Sequence, residues 1–268
     1  MDRQPSQSEE FSAYRLGGLL SITSPYSFIF TRRKRNNLVY AIFSSEAKKG
    51  MRVLEIGCGS GANIFMLNEL YPKAEEIEFY GVDISPMRIR FANSITRWKG
   101  RTGNCHFNLG TAEKLGYSDG QFDMVICTEV LEHLLDSKIA LKEMNRVLKK
   151  GGVAVISTPI RDSMPRKIIR DRIEDIIERR ATKGNPNEMV DGSYGHISVL
   201  STKELILMSK DACFRVEKKM KQSLVHGWHF LDRHQVIFAI LLIMDAVLDR
   251  LPHSYRFSWG IVLKLRKT

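Results

Sequence analysis

What the chain is short of limits it first. Its four cysteines, Cys58, Cys105, Cys127 and Cys213, lie far apart without a CxxC pair. Neither a disulfide framework nor a zinc ribbon is therefore suggested, and a reducing, cytoplasmic setting is expected. No signal-like segment opens the chain, which agrees with that setting. The apolar run at residues 236–248 carries a single charge, Asp245. As a helix it would reach only about 20 Å, short of the roughly 30 Å hydrocarbon layer, so a membrane-spanning segment is not expected. A helix so apolar has two settings open to it, burial beneath other elements or contact with a membrane surface. A distinctive RNA- or DNA-binding module is also lacking, although the formal net charge of +11 suits nucleic acid, an anionic membrane, an acidic substrate or simply the basic surface of a soluble enzyme.

What is present is a change of rhythm at residue 51. Before it, Met1 to Glu10 is polar and expected to fray. The run Arg32-Arg33-Lys34-Arg35 then leads into Leu38, Val39, Ile42 and Phe43. That spacing predicts a helix with an apolar stripe packed inward and a basic start facing water, placed to cap a pocket. After it, short apolar runs alternate with helical stretches, the pattern of a largely parallel sheet. Strands are predicted near 51–56, 77–83, 105–109, 122–127 and 153–158, with helices near 61–70, 86–98 and 137–149 between them. Lys149-Lys150-Gly151-Gly152 reads as the basic end and glycine stop of the last of these helices.

Residues 160–204 interrupt the alternation. A charged helix candidate, Pro165 to Ala181, is followed by a turn-rich stretch at 183–187 and by Gly192-Ser193-Tyr194-Gly195-His196. The position after the fifth strand is one where such folds place substrate loops. Ser201 with Glu204 predicts a capped helix over 202–211, and strands near 213–219 and 258–266 complete an α/β, doubly wound, Rossmann-like sheet.

Four strand ends carry the chemistry. Val53-Leu54-Glu55-Ile56-Gly57-Cys58-Gly59-Ser60-Gly61 runs a buried strand into three glycines spaced by two. The first permits a tight turn, the second lets a ligand approach the backbone, and the third lets a helix begin close to the sheet. An anion at Glu55 would repel a pyrophosphate, whereas a ligand bearing positive charge tolerates it. Asp83, at the tip of the second strand, is placed to accept both hydroxyl hydrogens of a ribose. Thr111, Ala112 and Glu113 follow the third strand, where a backbone amide and a polar side chain can meet an adenine edge. Thr128 and Glu129 end the fourth strand, and His133 lies one helical turn beyond.

In their order and separations, VLEIGCGSG at 53–61, GVDIS at 81–85, TAEKL at 111–115, FDMVICTEVLEHL at 122–134 and LKEMNRVLKKGGVAVISTP at 141–159 resemble the class I S-adenosylmethionine-dependent methyltransferases. The resemblance is strongest to the group containing quinone-biosynthesis and related small-molecule or lipid enzymes. It implies a seven-stranded sheet with its last strand antiparallel, an N-terminal helical cap over 1–50 and a methyltransferase domain over 51–268 with the insertion at 160–204. It also implies S-adenosylmethionine as cofactor. Glu55, Gly57, Cys58, Gly59 and Gly61 would meet its methionine part, Asp83 and Ile84 its ribose and neighbouring edge, Thr111, Ala112 and Glu113 its adenine, and Thr128 and Glu129 the route to the methyl. Relatives often carry aspartate where this chain has Thr111, which leaves adenine selection to backbone groups.

Methyl transfer needs alignment more than acid–base help, and it requires no metal. If the acceptor enters protonated, His133 or His196 is the candidate base; orienting a loop is the other role open to each. The histidines at 226, 229 and 234 lack the matching ligands of a metal site, and aromatic packing beside Trp228 and Phe230 accounts for them. The expected acceptor is a small, apolar or membrane-associated molecule, with residues 236–248 and the basic run supplying lipid contact. RNA, protein or glycan acceptors, and a noncatalytic cofactor-binding protein, are the alternatives.

Overall fold

Strand β4, Phe122–Thr128, has apolar side chains on both faces. Val125 and Cys127 enter one buried cluster, and Met124 and Ile126 enter the opposite one. A strand clothed on both sides must lie inside a sheet covered by two layers. The structure, a computed structural model, describes residues 26–71, 73–99, 103–163, 198–224, 234–251 and 254–268.

Beside β4 runs β1, Arg52–Ile56, followed outward by β2, Glu78–Asp83, and β3, Cys105–Leu109, all parallel. On the other side lie β5, Leu148–Pro159, then β7, Gly260–Lys267, antiparallel to it, and β6, Phe214–Lys221, at the edge. The seven strands have the order β3-β2-β1-β4-β5-β7-β6. Chain progression reverses between β1 and β4, so a crevice opens beyond their carboxyl ends.

Helices α1, Tyr26–Glu46, α2, Ala62–Leu70, and α3, Pro86–Lys99, cover one face. Helices α4, Ser137–Val147, and α5, Thr202–Asp211, cover the other. Helix α1 is a full member of its layer: Phe43 is buried, with its ring 5.3 Å from that of Tyr71 and 5.8 Å from that of Phe79. Its last residue, Glu46, receives Lys264 and, at 2.8 Å, Arg266 from β7. Ser201 and Glu204 form the capping box expected at the start of α5.

Two expectations change. Helix α4 stops at Val147, and Lys149-Lys150-Gly151-Gly152 belongs to β5 instead. The reason is pairing: Leu148 is already in register with Phe122, Lys149 is held by Asp123 at 2.7 Å, and Gly151 takes a left-handed turn at φ 72°. The basic start of α1 does not face water as a block. Arg33 is exposed, but Lys34 pairs with Asp245 and, at 2.6 Å, with Asp249, while Arg35 turns toward Glu129. Both aspartates flank the end of helix α6, Gln235–Leu248, where Asp245 is 1% exposed and needs a cation. Of the two settings open to α6, burial beneath other elements is not the one found among the described residues: its charge points inward and most of its large apolar side chains are exposed.

The two ends of the insertion are stapled together. Arg161 N donates to Leu200 O at 2.9 Å, and Asp162 Oδ1 accepts from Thr202 N at 2.8 Å. The helix expected over 165–181, the turn at 183–187, His196, the histidines at 226 and 229 and the terminal segment Met1 to Glu10 lie outside the described residues. Among the described residues, no helix is long and apolar enough to cross a membrane.

Candidate active site

Beyond β1 the backbone turns through three left-handed glycines, Gly57 at φ 68°, Gly59 at φ 54° and Gly61 at φ 83°. A methyl added at Gly57 would overlap Val130 Cγ2, and one at Gly61 would lie 2.7 Å from Phe107 Cζ. Gly59 differs, since the nearest atom to such a methyl is Arg88 Nη1 at 3.9 Å. The middle glycine therefore borders open space, while its neighbours are packed. Cys58 contributes its backbone: its N–H donates to Val82 O at 3.0 Å, its carbonyl accepts from Gly61 N at 2.9 Å, and its thiol is buried.

The turn is fastened to β2. Gly59 N donates to Asp83 Oδ2 at 2.8 Å, and Ser85 N donates to Oδ1 at 2.9 Å. A carboxylate offers about four acceptor sites, so each Asp83 oxygen keeps a lone pair. Next to it, Ile84 stands 73% exposed at the crevice edge, an apolar surface for a flat ring to rest on.

On the inner side, Glu55 is 2% exposed. Asn63 Nδ2 donates to its Oε1 at 2.6 Å and approaches Thr128 Oγ1 at 3.5 Å. Its other oxygen, Oε2, is buried without a partner. Burial pushes the carboxyl up to about 8, against the opposing influence of Asn63 and Arg35. A buried polar atom left over in this way calls for a ligand or water.

At the tip of β4, Glu129 occupies left-handed space at φ 56°, a conformation that costs a non-glycine residue about 1–3 kcal/mol and gathers at functional sites. Its N–H donates to Ser157 O at 2.9 Å, and its Oε1 accepts from Ser157 Oγ at 2.8 Å and from Gln222 Nε2 at 3.4 Å. Arg35 Nη1 stands 3.8 Å from Oε2, and Arg35 Nε is buried without a partner. Behind it Glu132 is buried and accepts from Thr158 Oγ1 at 3.2 Å; burial and the neighbouring Glu129 push it up to about 8. His133, in the short 3-10 turn Leu131–His133, carries Nε2 4.0 Å from Glu132 Oε1, with its side chain 38% exposed.

The far wall is the loop after β3. Thr111 is exposed and bridges to Lys114, Glu113 is half-buried, and Ala112 is buried under the loop. Helix α4 sets this loop: Glu143 accepts from Leu115 N at 2.9 Å, and Arg146 donates to Leu115 O at 3.0 Å and Tyr117 O at 2.8 Å.

The structure brings Glu55, Gly57, Gly59, Asp83, Thr128 and Glu129 to one crevice mouth, with Thr111 to Glu113 on its outer side. Sequence reasoning missed Arg35, Asn63, Ser157 and Gln222 as neighbours of these groups. Asn63, two residues past the last glycine, was the most accessible of the four, since the first turn of the next helix must face the strand end.

This sheet order, with a glycine turn after β1 and a carboxylate after β2, defines the class I S-adenosylmethionine-dependent methyltransferase fold. The chain belongs to the methyltransferase-domain family, whose model, described as "Methyltransferase domain", matches residues 47–221, more than half of its length. It is 31% identical to ajmaline N-methyltransferase of Rauvolfia serpentina over 48% of this chain and 43% of that protein. It is also 31% identical to O-methyltransferase cnsE of Penicillium expansum over 42% of this chain and 40% of that protein. The chain thus spans about two fifths of the length of these curated relatives. The crystal structure of YcgJ from Bacillus subtilis superposes with a TM-score of 0.56 at 19% identity, covering 88% of this chain and 98% of that one, which is a likeness of fold.

Proposed function

We propose that the protein transfers a methyl group from S-adenosylmethionine to a nitrogen or oxygen of a small, apolar or membrane-associated acceptor. The observation that carries the reading is the buried, unpartnered Oε2 of Glu55 beside the open face of Gly59. Together they suit a cationic amino-acid group lying against bare backbone. The cofactor supplies a methyl already activated on a sulfonium, so the chain's own task is binding, alignment and exclusion of water.

Glu55, steadied by Asn63, holds the ammonium end. Asp83 accepts the ribose hydroxyls on the lone pairs that Gly59 and Ser85 leave free. Ile84 and the 111–113 loop flank the adenine, with Thr111 offering a hydroxyl where a carboxylate is common. Thr128 and Glu129 border the path of the methyl, and the Ser157, Gln222 and Arg35 contacts fix the direction of Glu129. His133 Nε2 receives the acceptor's proton where one must leave, and His196 is the second candidate for that role. The named N- and O-methyltransferase relatives support a small molecule as acceptor, and the outward apolar face of α6 supports an apolar one.

The test is incubation of the full chain with methyl-labelled cofactor and a panel of apolar amines and phenols, with adenosylhomocysteine as the second readout. Label in a small molecule, with matching adenosylhomocysteine, is expected. Label found instead in RNA, protein or glycan would overturn the acceptor assignment, and cofactor binding without turnover across the panel would favour a noncatalytic role.

A further inference from the structure

Helix α6 is built inside out. Its only charged residue, Asp245, is 1% exposed, whereas Val236 is 74%, Ile243 65% and Ile240 52% exposed. At about 100° per residue, Val236, Ile240, Ile243, Met244 and Val247 fall within an arc of about 100°, with Asp245 on the opposite side. All five are exposed. A soluble helix normally reverses this arrangement, and a continuous apolar stripe of this kind marks a surface that meets another apolar phase.

The inward side explains how the helix can be so oriented. Asp245 is ion-paired to Lys34 of α1 and to Lys221 at the end of β6, and its Oδ1 also accepts from Leu224 N at 2.6 Å. Asp249 joins the same group, 2.6 Å from Lys34 and 3.1 Å from Lys221. Charge pairing, together with the Phe238 ring set edge-on to that of Phe30 on α1 at 6.5 Å, fastens α6 to the body, and its apolar stripe faces outward.

The exposed charge on the segments next to α6 in sequence, and on the α1 helix that it packs against, points to its partner. Both acidic residues of this region are spoken for by lysines. Arg250 at the helix end, Arg256 in the turn that follows and Arg33 on α1 are exposed, and the chain carries a formal net charge of +11. We infer that α6 is an interfacial anchor. It lies in the plane of an anionic lipid surface with its stripe among the upper acyl chains and its arginines at the headgroups. Its length of about 20 Å is too short for spanning and suits that position. The inference concerns the surface alone and stands whether or not the proposed methyl transfer does.

Co-sedimentation of the full chain with phosphatidylcholine vesicles, with and without phosphatidylglycerol, tests it. Binding to the anionic vesicles is expected, weakening as salt is raised. The double variants Ile240→Ser with Ile243→Ser, and Val236→Ser with Val247→Ser, are each expected to weaken partitioning at least about tenfold. Because these positions are exposed, thermal unfolding and adenosylhomocysteine binding are expected to stay at wild-type values. Absence of vesicle binding, binding unchanged in both variants, or a wild-type dimer in light scattering that the variants dissociate would each overturn it. Vesicle binding by a protein that shows no methyl transfer would leave the anchor standing and count against the proposed chemistry only.

Discussion

The N–H of Gly59 donates to Oδ2 of Asp83 across 2.8 Å, joining the glycine turn after β1 to the tip of β2. One carboxylate thus shapes the turn and faces the crevice, so its loss acts twice. Asp83→Asn keeps an oxygen for one backbone donor but presents a donor of its own to the other. It is expected to weaken adenosylhomocysteine binding about 10- to 100-fold, the size of a lost charge-assisted pair of hydrogen bonds. Calorimetric titration checks this, with circular dichroism to show that the fold persists.

Gly57 tests the turn itself. Alanine there would overlap Val130 Cγ2 and hold φ 68° without glycine's freedom. Gly57→Ala is expected to cost about 2–4 kcal/mol in denaturant unfolding, from overpacking plus left-handed strain. Adding Val130→Ala should recover the overpacking part and leave the strain. Equal stability of the single and double variants would show that Val130 is not what crowds the turn.

The turn and its strand were legible because their signals are local. Strand β3 has the bounds expected of it, 105–109, and α5 those of the capping box that starts it. Glycines spaced by two after a buried strand have few uses. Arg35 was not legible: its neighbours in the basic run are Arg33, which is exposed, and Lys34, which is spent on α6. Only the packing of α1 on the sheet turns residue 35 toward Glu129, 94 positions away in sequence. The same holds for α6. Its apolar composition was plain, but which side Asp245 would take depends on Lys34 and Lys221, two cations from distant segments. Local periodicity reports a stripe, not the partner that decides its orientation.

The buried carboxyls set a pH dependence. Glu55 and Glu132 stand near 8 in the folded protein against an ordinary 4.5, so each binds its proton more tightly folded than unfolded. Their stabilising contribution is complete below about pH 4.5 and is lost as pH rises through about 8. Unfolding midpoints of the ligand-free protein should therefore fall across that window, and Glu55→Gln should flatten the fall. An ammonium bound at Glu55 would ionise it, so cofactor binding at pH 7 should release protons. Calorimetry in buffers of different ionisation enthalpy measures that release, and zero release would remove Glu55 from the ammonium site.

The fastening of α6 is tested by Asp245→Ala. It leaves Lys221, 1% exposed, facing Lys34 with only the half-exposed Asp249 between them. A loss of about 3–5 kcal/mol is expected, as for a broken buried pair. Asp249→Ala should cost far less, about 1 kcal/mol or under, because its carboxylate is 41% exposed and screened. Urea unfolding of the two variants side by side checks the contrast, and equal losses would contradict it.

The crevice at the reversal of β1 and β4 is the centre of the functional reading, and a titration of adenosylhomocysteine into the folded wild-type protein tests it most directly. Saturable binding of one ligand per chain is expected, weakened at least about tenfold in Asp83→Ala. A wild-type protein that unfolds cooperatively yet gives no binding heat and no shift in its unfolding temperature would contradict the reading.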